Sequence, residues 1–181
     1  MEPECIWTIG HSTRSLEELV ALLREHDVGL LADVRTAPGS RRLPHFSKAA
    51  LAEDLPRLGV RYVHLPELGG LRRPRPDSPN AGWRNDSFRG FADYMATDEF
   101  RAGLDRLVEL AASGNTAVMC AEAVPWRCHR SLIADALLVR GIEVSHLIGR
   151  GSARPHQLTP FAHLEGGRIT YPAPVQDAFS F

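Results

Sequence analysis

Apolar residues along the chain fall into two alternating patterns, short unbroken runs and longer stretches of helical period. Ile6-Trp7-Thr8-Ile9 is a strand-length run closed by Gly10-His11-Ser12-Thr13. Ser15-Leu16-Glu17-Glu18 then has the form of a capping box, in which the hydroxyl and the carboxylate each satisfy a free backbone N–H. Leu16, Leu19, Val20 and Leu23 give the helix that follows one apolar stripe. Gly29 to Arg35 predicts a second strand with charges only at its far end, and Pro38, Gly39 and Pro44 mark a loop before a short helix over Ser47 to Leu58. A third strand at Val60 to Leu65 ends in the turn Pro66-Glu67-Leu68-Gly69-Gly70. Residues 71–90 are rich in Pro, Gly, Asn and Arg and show no period, so they read as a long excursion of the kind that is usually functional or mobile. Thr97 caps a helix with Phe100, Leu104, Leu107 and Val108 on one face, and Asn115 to Met119 predicts a fourth strand. Residues 128–140 have helical period and stop at Gly141, as at a C′ glycine; Val144 to Ile148 predicts a fifth strand and Arg168 to Tyr171 an edge strand.

Strand-like runs alternating with helices predict an α/β fold. The expected form has three layers, a mostly parallel sheet of about five strands with helices on both faces, and is Rossmann-like. A chain of 181 residues without repeat or linker reads as one domain over 1–181, with a short tail at 172–181. A domain of this size buries about two-thirds of the surface that its unfolded chain exposes. Met1 to Cys5 carries no basic leader, and no apolar run approaches the roughly 18 residues of a membrane helix. Three cysteines, Cys5, Cys120 and Cys128, do not make a secreted disulfide framework, so the expectation is a cytoplasmic protein with reduced thiols and no membrane partner. With 21 basic against 22 acidic residues, global charge does not select a polyanionic partner. Its distribution matters more, because Arg41-Arg42 and Arg72-Arg73-Pro74-Arg75 are locally basic and Lys48 is the only lysine.

The unusual polar residues follow the strands: His11 and Ser12 the first, Asp33 and Arg35 the second, His64 and Glu67 the third, Cys120 and Glu122 the fourth, His146 the fifth. Ligands of open parallel sheets bind outside the carboxyl ends of the strands, so these five ends point to one crevice. The candidate catalytic residues are His11, Cys120, Glu122, Cys128 and His129, and the candidate substrate-binding residues are Ser12, Asp33, Arg35 and Arg130. Asp33 and Arg35 are two apart and share a face; together they either form a structural ion pair or present Arg35 to a phosphate or carboxylate with Asp33 fixing the guanidinium. Cys128 is expected at or near the first turn of a helix, where free N–H groups, the helix dipole, Arg127 and Arg130 would bring a thiol into the range of about 3.5–7.5. A strand, a cysteine, a loop and an arginine in that order are similar to the anion-binding loops of rhodanese-like and cysteine-phosphatase proteins. Here the cysteine-to-arginine spacing is one residue longer, and Glu122 would repel a phosphate dianion. The separation of Cys120 from Cys128 is not that of a zinc knuckle, so neither metal nor cofactor is expected. Trp83 and Phe88 in the arginine-rich excursion suit either a stacking surface for nucleotides or a loop pinned by one buried tryptophan.

Several of these blocks resemble those of the domain of unknown function 488 family. They are Thr8-Ile9-Gly10-His11-Ser12, Asp33-Val34-Arg35 with Pro38 and Ser40, Leu68-Gly69-Gly70, Cys120-Ala121-Glu122 with Cys128-His129-Arg130, and His156-Gln157-Leu158-Thr159. The resemblance runs from about Thr8 to Tyr171 and implies a compact α/β domain of bacterial and archaeal type with no established reaction. Three functional readings stand at this point. The first is an enzyme, a hydrolase or transferase, acting on a phosphate-bearing substrate such as a nucleotide or nucleic-acid component. The second is a non-catalytic nucleic-acid or nucleotide binding module using the basic excursion. The third is a redox or metal protein built on Cys120, Cys128 and His129.

Overall fold

The structure is a computed structural model that describes residues 1–175. Strands β1 (Cys5–Gly10), β2 (Leu30–Asp33), β3 (Arg61–His64), β4 (Thr116–Cys120) and β5 (Glu143–Gly149) are mutually parallel where they pair. A sixth strand, β6 (Ser152–Pro155), runs antiparallel beside β5 and completes the order β3-β2-β4-β1-β5-β6. The sheet therefore has six strands and not five. β6 is exposed along its whole length, so its residues Ser-Ala-Arg-Pro carry no apolar run to announce it. The segment read as an edge strand of this sheet, β8 (Arg168–Thr170), pairs instead with β7 (His163–Glu165) in a separate two-stranded sheet. Residues 176–181 of the expected tail lie outside the described residues.

Helices cover both faces, because the inner strands are buried on both sides. On one face α1 (Leu16–Arg24) and α2 (Lys48–Arg57) pack Leu19, Leu23, Leu51 and Leu55 onto Ile9, Leu31 and Met119. On the other, α3 (Asp86–Tyr94), α4 (Asp98–Ala111) and α5 (Arg130–Val139) pack Phe91, Leu104, Leu107 and Leu132 onto Ile6, Ala32 and Val118. Ser15, Ser47 and Thr97 cap their helices by accepting from the N–H groups of Glu18, Ala50 and Phe100. The excursion is shorter than its composition suggests. Asn85 caps α3 by accepting from the N–H groups of Ser87 and Phe88, so helix begins at Asp86 within the stretch that shows no period. The helical period read from residue 128 begins as α5 only at Arg130, after a 3-10 turn at Pro125–Arg127.

This topology positions the site. From β1 the chain crosses β4 to reach β2, with α1 on one face; from β4 it crosses β1 to reach β5, with α5 on the other. The loops leaving β1 and β4 therefore diverge to opposite sides, which opens a crevice at their carboxyl ends.

Candidate functional site

Three of the predicted strand ends meet at that crevice. The His11 and Ser12 N–H groups donate to the Cys120 and Ala121 carbonyls at 3.0 and 2.9 Å, which continues the β1–β4 pairing past the last residues of both strands. Gly10 makes this approach feasible, because a Cβ there would lie 1.6 Å from the Glu122 carbonyl oxygen. Ser12 completes the turn with φ +47°, a left-handed conformation that side chains other than glycine rarely adopt.

Asp33 is completely buried and accepts Arg35 in a fork, from Nε at 2.9 Å and Nη2 at 2.7 Å, while the Tyr62 hydroxyl donates to the same carboxylate at 2.6 Å. Burial, followed by the hydrogen bond to Asp33, pushes the Tyr62 hydroxyl pKa up. Arg35 also donates through Nη2 to the Phe46 carbonyl at 2.7 Å, and His64 Nε2 donates to the Arg35 carbonyl at 2.7 Å. His11 Nδ1 faces the Ser12 carbonyl at 2.8 Å and must be the donor there, so its Nε2 lone pair faces Arg35 Nη1 at 3.3 Å. Burial and then the Arg35 charge lower the His11 pKa, in keeping with this neutral tautomer. His11 is stacked on Phe46 and acts here on Arg35, orienting the guanidinium. Four of its five N–H groups are engaged, leaving one Nη1 hydrogen for a ligand.

The cysteines sit across the crevice from that pair. Cys120 ends β4, and Cys128 follows the 3-10 turn in extended backbone, two residues ahead of α5 and so near its first turn without lying in it. Their sulfurs are 2.8 Å apart, both reduced and both buried. The expectation for Cys128 is reversed: its hydrogen bond to Cys120 and its burial raise its pKa. The lowered thiol is Cys120, first through the hydrogen bond donated by Cys128 and further through the charge of Arg130. Arg130 is wholly enclosed and lines neither of the hollows described below, so it does not face a ligand as expected from the sequence. Its Nη2 donates to the Ala123 carbonyl at 3.3 Å, and its Nε and Nη1 find no partner among the described residues.

His129 Nε2 donates to the Val34 carbonyl at 3.1 Å, so Nδ1 carries the lone pair and lies 3.4 Å from the Cys128 sulfur. Burial holds this imidazole at about 4, keeping it neutral at ordinary pH. The ring packs so closely on Gly70 that a Cβ there would sit 2.5 Å from Nδ1, which gives the Gly69-Gly70 pair a physical reason.

Two adjoining hollows open on these groups. One, of about 490 Å³, is lined by Cys120, Cys128, His129 and Phe88; the other, of about 570 Å³, by His11, Ser12 and Ser40. Arg35, Glu122 and Arg127 line both. Arg127, exposed and lining both hollows, entered the sequence reading only as a neighbour of Cys128. Tyr62 and the Phe46 carbonyl have no signal in the sequence, because each enters from a different element.

Part of the excursion's charge is engaged, while Arg73 and Arg84 are exposed and in no ion pair among the described residues. Arg72 lies over the Tyr94 ring at 3.6 Å, Arg75 pairs with Asp77 at 2.8 Å, and Trp83 is packed among Phe88, Phe161 and Tyr171. This is the pinned-loop alternative.

His146 belongs to a separate buried network. Asp135 accepts from His156 Nε2 at 2.7 Å, the Thr159 hydroxyl at 2.6 Å, the Thr159 N–H at 3.1 Å and the Tyr171 hydroxyl at 2.7 Å. His156 Nδ1 then accepts from His146 Nε2 at 2.9 Å, and His146 Nδ1 from the Thr8 hydroxyl at 2.6 Å. One neutral tautomer of each histidine satisfies every contact, and burial accordingly holds His146 at about 3. With both nitrogens of both rings engaged, the network ties the 156–171 segment to β1, β5 and α5.

Fold and site together define an α/β protein with a paired-thiol cleft beside a carboxylate-anchored arginine at the switch point of its sheet. The chain belongs to the family described as domain of unknown function DUF488, whose match covers residues 15–137. The Thr8–Ser12 and His156–Thr159 blocks lie outside the matched residues. No curated protein and no solved structure matches the chain. Among the described residues no helix is long and apolar enough to cross a membrane, and no group of three or more His, Cys, Asp or Glu side chains is arranged to hold a metal ion.

Proposed function

We propose that the chain is an enzyme in which Cys120 is the nucleophile toward a small phosphate-bearing substrate, a nucleotide or nucleic-acid component. The observation that carries the reading is the setting of the Cys120 sulfur. It receives a thiol hydrogen bond at 2.8 Å and lies near a buried arginine that has no carboxylate partner among the described residues. A buried guanidinium without a counter-charge is costly, and a thiolate at Cys120 supplies one. In this reading Arg127 and the remaining Nη1 hydrogen of Arg35 hold the anionic group, with Ser12 beside them. His11 and Asp33 position Arg35. Glu122, exposed at the boundary of the two hollows, moves the proton to or from the leaving group. The crossovers that diverge around β1 and β4 support a Rossmann-like description of the sheet, in which such a crevice accepts nucleotides.

The test is alkylation mapped by peptide mass at pH 6, with and without inorganic phosphate and a panel of nucleoside phosphates. Cys120 is expected to react faster than free cysteine, and a bound ligand to protect it. Phosphate release from any panel member should vanish in Cys120→Ser. Labelling of Cys120 no faster than free cysteine would overturn the assignment of the nucleophile.

A further inference from the structure

Cys120 and Cys128 are placed for more than a hydrogen bond. One sulfur is anchored by the β1–β4 ladder, whose register pairs Gly10 with Cys120. The other is anchored by the bond from the Cys128 N–H to the Pro125 carbonyl at 3.1 Å and by the Arg130 N–H, which donates to its sulfur at 3.4 Å. From 2.8 Å, a bond of about 2.05 Å requires the sulfurs to close by less than ~1 Å. Both residues line the same hollow, so a small oxidant entering it meets the pair from solvent. His129 Nδ1 stands 3.4 Å from the Cys128 sulfur and packs beside the resolving thiol.

We infer that Cys120 and Cys128 form a dithiol–disulfide couple, oxidised by a hydroperoxide, in which Cys120 is the thiol that attacks the oxidant and Cys128 the resolving one. The inference rests on the reading of Cys120 as the nucleophile. In the first step the Cys120 thiolate attacks the terminal oxygen of the hydroperoxide. The O–O bond breaks, the alkoxide leaves and takes a proton from solvent, and Cys120 becomes a sulfenic acid. In the second step Cys128 attacks that sulfur while its proton passes to the sulfenic hydroxyl. The S–S bond forms, the S–O bond breaks, and the hydroxyl departs with that proton as water. The two thiols lose two electrons and the hydroperoxide is reduced to an alcohol and water; an external dithiol reverses the change by exchange. The disulfide withdraws the nucleophile, so the couple also sets whether the cleft is active.

The experiment is treatment of the intact protein with hydrogen peroxide, followed by mass measurement and tryptic mapping. Cleavage after Arg127 places the two cysteines on separate peptides, so the bond is read directly as their joining. The wild-type chain is expected to lose the mass of two hydrogens and to regain it with dithiothreitol. Cys128→Ser should instead accumulate a sulfenic acid on Cys120 that dimedone traps, and Cys120→Ser should do neither. Stable gain of oxygen by the wild-type chain without joined peptides, or joining through Cys5, overturns the couple. Fast labelling of Cys120 at pH 6 with no disulfide defeats the couple and leaves the nucleophile standing; slow labelling defeats both.

Discussion

Replacing Gly10 with alanine places a methyl group 1.6 Å from the Glu122 carbonyl oxygen, 2.4 Å from its carbon and 2.9 Å from the Ala123 Cα. All three are backbone atoms, so no flexible side chain can give way, and the loop over β1 must retreat by well over ~1 Å to restore van der Waals contact. That retreat pulls on the His11 and Ser12 hydrogen bonds to Cys120 and Ala121. Two amide hydrogen bonds lost or stretched in a buried turn correspond to about 1–3 kcal/mol each where a donor is left unsatisfied, so Gly10→Ala should cost about 2–5 kcal/mol. Urea unfolding reads this as a lowered midpoint at unchanged slope. Gly29→Ala is the control, because a Cβ there meets nothing within 4 Å; it should stay within about 0.5 kcal/mol of the wild type. The displaced loop carries Glu122 and adjoins Cys120, so labelling of Cys120 at pH 6 should slow in the same variant. A Gly10→Ala protein as stable and as reactive as the Gly29→Ala control would refute the close crossing of the Cys120 loop over β1.

Other outcomes follow from the buried polar groups. His129 and His146 are held at about 4 and about 3, below their ordinary 6.5, so between those values the unfolded chain binds more protons than the folded one. Their contribution is therefore complete above pH 6.5 and drains as pH falls toward the folded values, by up to about 1.4 kcal/mol per pH unit for each group. Urea midpoints from pH 7 to pH 4 should show that decline, and His129→Gln should make it shallower. Asp33→Ala leaves the Arg35 guanidinium enclosed without its carboxylate and should cost about 3–5 kcal/mol, measured by the same unfolding curves; a loss below about 1 kcal/mol would show that Arg35 has another counter-charge. Tyr171→Phe removes one of four donors to buried Asp135 and should cost about 1–2 kcal/mol by thermal or urea unfolding, without altering Cys120 labelling.

Periodicity and capping were enough to locate the five parallel strands and most of the helices, because those signals are local: Ser15, Ser47 and Thr97 each bond to an N–H three residues on. The convergence of the β1, β2 and β4 ends was legible because a parallel sheet brings its carboxyl edges together, but the expected contribution of His146 from β5 goes to a separate network. His11, Arg35, Cys120, Glu122 and His129 do reach one cleft region. What tertiary structure alone decided is the work each residue does. Whether a thiol is lowered or raised depends on which neighbour donates to it, and the neighbours of Cys120 are Cys128 and a buried Arg130, at distances that no spacing encodes. The Asp33–Arg35 pair was one of two readings open in the sequence; that Arg35 also donates to Phe46 and faces His11, leaving one N–H, only the fold decided. β6 escaped notice because an exposed edge strand is specified by its partner β5 and not by an apolar pattern of its own. Local sequence sets where the backbone turns and which faces are buried; electrostatics at contact range depends on pairs brought together from distant parts of the chain, and only packing supplies those.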